Sequence, residues 1–136
     1  MRYDIRIAGD HMRAELFDRE TGEETRSFLK ALASAVLAHR MERVLIQVRA
    51  SRPIFKVEQY QASAYLKALA SRPALKVALL SVRDDVRAAH EYLEVLAGQQ
   101  GANLRSFSHE AMALEWLRTY APTGAPRRQP GAVKLP

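Results

Sequence analysis

The sequence predicts an α/β protein with a mixed, mostly parallel five-stranded sheet, an antiparallel hairpin at its N-terminal edge, and four helices. Two alternating apolar–polar runs open the chain, and helical and β-branched segments then interchange to its end. With 136 residues, 48% hydrophobic and 26% charged, there is enough apolar matter for one core. Such an alternation calls for parallel strands joined by right-handed crossovers.

Each element has a local reason. Tyr3, Ile5 and Ile7 alternate with Asp4 and Arg6, and Met12, Ala14 and Leu16 alternate with Arg13 and Glu15. Gly9, between the runs, supplies the positive φ of a tight reversal. Thr21 and Glu24 form a capping box, after which Phe28, Leu29, Leu32, Val36 and Leu37 recur at helical spacing to about Arg40. Val44–Val48 lacks clean alternation, as a strand buried on both faces does. Pro53 suits a first helical turn, and Val57, Tyr60, Ala64, Tyr65 and Ala68 carry that helix to Ser71-Arg72-Pro73. Leu75–Val82 is a second buried strand, expected beside the first and parallel to it. Asp84 is expected to cap a third helix bearing Val86, Ala89, Leu93 and Leu96, which ends near Gly98 to Gly101. Asn103–Phe107 is a short strand. Ser108 is then expected to cap a last helix with Ala113, Trp116, Leu117 and Tyr120 on one face. The domain covers residues 1–120; residues 121–136, rich in proline and basic, are expected to be a disordered tail.

Charge and composition exclude several classes. Of the 21 basic residues, Arg127, Arg128 and Lys134 belong to the tail, which leaves 18 against 15 acidic residues in the domain. The elements carry mixed signs, as in Arg83-Asp84-Asp85 and in Arg87 with Glu91, so no specific nucleic-acid module is expected. There is no cysteine, hence no disulfide or thiolate site. No apolar run reaches membrane-spanning length, and the opening residues form no signal peptide, so a cytoplasmic protein is expected. The histidines, His11, His39, His90 and His109, have no metal-ligand spacing, and His90 is expected to pair with Glu94 on a solvated face. No glycine-rich strand-to-helix turn marks a dinucleotide or phosphate loop. No cofactor, metal or catalytic residue is implied. The tyrosines and Trp116 are expected in the core.

One region offers a binding site. In a parallel sheet, ligands settle beyond the carboxyl ends of the strands, where helix N-termini present free amides. The junctions there hold Arg49, Ser51, Arg52, Arg83, Ser108 and His109, which together suit an anion.

The element order resembles the STAS/SpoIIAA-like family, within it the bacterial proteins grouped with lipid-binding CRAL/TRIO-type domains. The resemblance runs from about Tyr3 to Tyr120, and RSFSHEAMALEWLR (Arg105–Arg118) is similar to that family's last strand and helix. It implies a small regulatory or ligand-binding domain. In the family's anti-sigma-factor antagonists an Asp-Ser-Ser-Gly turn carries a phosphorylated serine. Here that junction reads Ala50-Ser51-Arg52-Pro53, so Ser51 is the phosphoacceptor candidate, without the aspartate or glycine. The functional expectation is a non-catalytic module that recognises an anionic small molecule or a partner protein, with a homodimer compatible. The alternatives are an adaptor for nucleic acid or acidic membrane acting through the basic tail, and a carrier of a lipid-like ligand.

Overall fold

The computed structural model describes residues 1–53 and 62–119. In chain order the described elements are β1 (Arg2–Ala8), β2 (His11–Phe17), α1 (Gly22–His39), β3 (Arg43–Arg49), α2 (Ala62–Ala70), β4 (Lys76–Leu80), α3 (Asp84–Gln100), β5 (Leu104–Phe107) and α4 (Glu110–Leu117). Val57, Tyr60 and Tyr120, with the segment 121–136, lie outside the described residues.

The strands stand side by side in sequence order, β1 antiparallel to β2 and every later pair parallel. Val44–Val48 and Leu75–Val82 are neighbours as expected, with Arg43 opposite Lys76 and Gln47 opposite Leu80. Sequential order with right-handed crossovers sends every connecting helix to the same side. Accordingly Phe28, Leu32 and Val36 of α1 and Val86 of α3 share one core with Met12, Ala14, Leu16, Val44, Ile46, Val48, Val77 and Leu79. The alternate strand residues Leu45, Ala78 and Leu80 face the other way, against Ala113, Trp116 and Leu117 of α4. α2 packs against α3 through Leu66, Ala97 and Ala102.

Where α4 does not reach, that second face is polar. Glu15 receives Arg6 at 3.4 Å and Arg49 at 3.3 Å, and Arg13 donates to Glu110 at 2.7 Å.

Capping follows the sequence at α1 and departs from it later. The Glu24 amide donates to Thr21 Oγ1 at 3.1 Å while Thr21 N–H donates to Glu24 Oε1 at 3.2 Å. Arg40, with φ 53°, turns the chain out of α1, and Gly101, with φ 77°, does so for α3. The cap of α3 is Arg83 rather than Asp84, and no side chain bonds there as a cap; Asp84 already lies in the first turn, where its charge suits the helix dipole. For α4 the cap is His109 rather than Ser108, whose Oγ lies 3.0 Å from His109 Nδ1. The two departures run in opposite directions: α3 begins one residue earlier than a cap at Asp84 would set it, and α4 one residue later than a cap at Ser108 would. Tyr92 is exposed on α3 and not in the core.

The last turn of α4 is held from beneath. Lys76 Nζ donates to Trp116 O at 3.0 Å and Thr119 O at 2.8 Å, and Arg43 Nε donates to Leu117 O at 3.1 Å. These donors serve carbonyls that a helix end leaves unpaired. Burial, followed by the charges of Arg43 and Arg105, pushes the Lys76 ammonium down to about 8. Trp116, 8% exposed, lies 5.8 Å from the Phe107 ring and 5.0 Å from the Lys76 ammonium. Trp116→Ala is therefore expected to cost roughly 3–5 kcal/mol in denaturant unfolding, because the helix would lose both its aromatic anchor and its packing on Leu45 and Leu80.

Candidate functional site

The carboxyl ends of the strands are tied to one another instead of standing open. Ser51 is 1% exposed; its Oγ accepts from the Arg19 amide at 3.1 Å and donates to Arg49 O at 2.9 Å. Arg52 N–H donates to Arg19 O at 2.9 Å, and the Arg19 guanidinium donates back to Arg52 O. Arg83 reaches Ser51 O at 3.1 Å while its other nitrogens hold Asp85. Arg49 turns to Glu15 on the polar face of the sheet. Arg83 and Ser51 are thus brought together, Arg52 joins them through its backbone, and Arg49 is drawn away. Ser108 and His109 contact each other. Both hydroxyl roles of Ser51 are thus used inside the fold.

The open space lies behind this edge. A cavity of about 270 Å³ sits between α1, α2, α3 and the helix-bearing face of the sheet. Leu16, Phe28, Leu32, Val36, Ile46 and Leu79 form much of its wall, which runs along α1 from Thr25 to Leu37. Twelve helical residues span ~18 Å, so the cavity is elongated. Its polar groups are few: Arg19, Thr25 and His90 toward the carboxyl ends of the strands, Tyr65 and Arg72 on the side of α2. A mostly apolar concavity with a few polar groups is the usual character of a small-molecule site.

His90 corrects an expectation. It is 4% exposed, not on a solvated face, and Glu94 instead accepts from Ser106 N and Oγ at 2.8 Å each. The signal was present in the spacing: Val86, Ala89, His90 and Leu93 fall at i, i+3, i+4 and i+7, which sets the imidazole within the apolar stripe. Desolvation, then the charge of Arg19, pushes His90 down to about 4, so the imidazole is neutral near pH 7. Its Nδ1 is buried with no hydrogen-bond partner among the described residues. Arg19, 7% exposed, follows the end of β2 with no sequence mark of burial. Its place is set by the neighbouring junction, with which it exchanges backbone bonds.

Comparison with family models, with curated proteins and with solved structures finds no match for this chain. Fold and cavity alone define its class: an α/β protein whose layer of α1, α2 and α3 encloses an apolar, elongated cavity with an imidazole in its wall.

The buried imidazole makes stability depend on acidity. Between pH 4 and 6.5 the unfolded chain binds the His90 proton and the folded chain does not, so this contribution is complete above pH 6.5 and is lost as pH falls through 4. At ~1.36 kcal/mol per pKa unit, the loss from this group approaches about 3 kcal/mol. Urea unfolding across that range should show the slope, and His90→Gln should flatten it. An unchanged slope in the variant would assign the acid sensitivity to other groups.

Proposed function

We propose that this chain is a binding module for a small, elongated, mostly apolar molecule with one polar or anionic end. The cavity beneath α1 carries the reading: apolar walls for the body of the ligand, and His90 and Arg19 gathered at one end for its head. Neutral imidazole offers Nδ1 as donor or acceptor according to tautomer, so a hydroxyl, an amide or a carboxyl group would satisfy it. The field of Arg19 favours the partial or full negative charge of such a head. Support also comes from the resemblance to STAS/SpoIIAA-like proteins grouped with lipid-binding domains, which suggests a ligand between helices and sheet. Two of the cations first associated with an anion at the strand ends serve other partners: Arg83 holds Asp85 and Arg49 holds Glu15. The anion-recognising part of the reading accordingly moves inward, to Arg19 and His90.

The test is a titration with decanoate, and separately with decanol, followed by backbone amide resonances. Shifts are expected along residues 28–37 and 86–93, while 113–117 on the opposite face of the sheet stay still. Ala89→Leu places two further branches of carbon in the cavity without adding a polar group. The fold should therefore be retained, with affinity for both probes falling at least about tenfold. Binding that survives the filled cavity, or shifts scattered over both faces, would overturn the reading.

A further inference from the structure

The cavity has a mouth, and its rim has a distinct charge. Among the residues lining the cavity, Ala33 and Leu37 of α1 and Ala68 of α2 are exposed, Leu37 at 66%. The opening therefore lies between α1 and α2. Arg26, Lys30, Ala33 and Leu37 follow at i, i+4, i+7 and i+11 on one stripe of α1, and Arg40 caps its end. On the α2 side Arg72 lines the cavity, and Lys67 is exposed on the outer side of that helix, away from the lining residues Tyr65, Leu66 and Leu69. No acidic residue occurs from Thr25 to Met41 or from Ala62 to Leu75. Among the described residues none of these five cations has an ion-pair partner. α3, by contrast, carries Asp84, Asp85, Glu91 and Glu94 beside Arg87, and Arg87 pairs with Asp84 and Glu91.

We propose that the outer surfaces of α1 and α2 dock onto an anionic phospholipid bilayer, with their cations against the headgroups and the apolar mouth turned toward the membrane. The purpose of this surface rests on the cavity reading above, but its geometry does not. A helix surface that mixes exposed apolar residues with unpaired lysine and arginine suits the boundary between headgroups and acyl chains. Acidic lipids attract each such cation within about a Debye length. A polynucleotide would use the charges but gain nothing from Ala33, Leu37 and Ala68 between them. The orientation also gives the cavity a route for an apolar ligand that avoids water.

The experiment is co-sedimentation of the full chain with phosphatidylcholine vesicles and with vesicles containing roughly a third phosphatidylserine, at low and at raised salt. Binding is expected on the acidic vesicles and not on the neutral ones, and salt should weaken it. Replacing Arg26, Lys30 and Arg40 by Gln, or Lys67 and Arg72 by Gln, should each lower vesicle affinity more than tenfold. Leu37→Gln should lower it less, and Arg87→Gln on α3 should leave it unchanged. In the full chain, loss on replacing Arg127, Arg128 and Lys134 by Gln, with the helix variants still binding, would assign membrane affinity to the tail and overturn the proposal. So would equal binding to both vesicle types, binding to neither, or a DNA duplex held through the same helix cations while vesicles are not. Decanoate titration of the helix variants separates the two readings: retained decanoate shifts with lost vesicle binding support both. Vesicle binding without any decanoate shift keeps the surface and removes the cavity ligand.

Discussion

Right-handed crossovers between strands laid down in sequence order govern the rest of this structure. Because the order never reverses, α1, α2 and α3 have no choice of side, and one face of the sheet receives all three. That face must be apolar along its whole width, and Met12, Ala14, Leu16, Ile46 and Leu79 make it so. The other face has α4 alone. It is apolar only beneath that helix and elsewhere depends on the cross-strand charges of Arg6, Glu15 and Arg49. The helix layer is also where space is left. α2 is drawn to α3 through Leu66, Ala97 and Ala102, away from α1, and the cavity occupies the interval between them.

The same topology explains why the carboxyl edge is closed. Parallel strands end together, so the chain leaves β2, β3 and β4 at neighbouring points, and their loose backbone groups must find partners there. Ser51, Arg19, Arg52 and Arg83 supply them to one another. Asp18 and Ala50 adopt positive φ values of 58° and 48° immediately after their strands, an arrangement that L residues resist. Strained turns and saturated donors together form a rigid rim. A rim of this kind fixes Arg19 beside the inner end of the cavity, where burial first and then the charge of Arg19 keep His90 neutral.

The fold was legible because it rests on periodicity. The hairpin, the capping box of Thr21 and Glu24, the buried runs around Val44 and Val77, and the role of Trp116 all follow from spacing that survives in the folded chain. The site was less legible, for two physical reasons. Arginines at strand ends look alike in sequence whether they are free or engaged, and only the contacts show that Arg49 and Arg83 are held by Glu15 and Asp85. A cavity, moreover, is a property of how far helices stand apart, which no single segment encodes. His90 lay between these cases. Its place in the stripe of Val86, Ala89 and Leu93 was visible, but its i+4 relation to Glu94 pointed the other way, and Glu94 turned out to serve Ser106.

Charge placement then carries a meaning that net charge hides. Acidic side chains on the hairpin, on α3 and at the start of α4 are matched by arginines: Asp4 by Arg6, Asp10 by Arg118, Asp85 by Arg83 and Glu110 by Arg13. Exposed pairs like these contribute little to stability, but they cancel the field around them. Beyond the first turn of α1, where Glu23 and Glu24 lie, Arg26, Lys30, Arg40, Lys67 and Arg72 have no ion-pair partner among the described residues. A surface arranged for solubility alone would intersperse both signs, as α3 does with Arg87 between Asp84 and Glu91. Concentrating one sign around an apolar opening instead produces a directed field at the mouth of the cavity. On the proposed reading, the cations outside would draw an acidic surface to the entrance, and Arg19 and the neutral His90 at the inner end would receive the head of a molecule whose apolar body is held by burial.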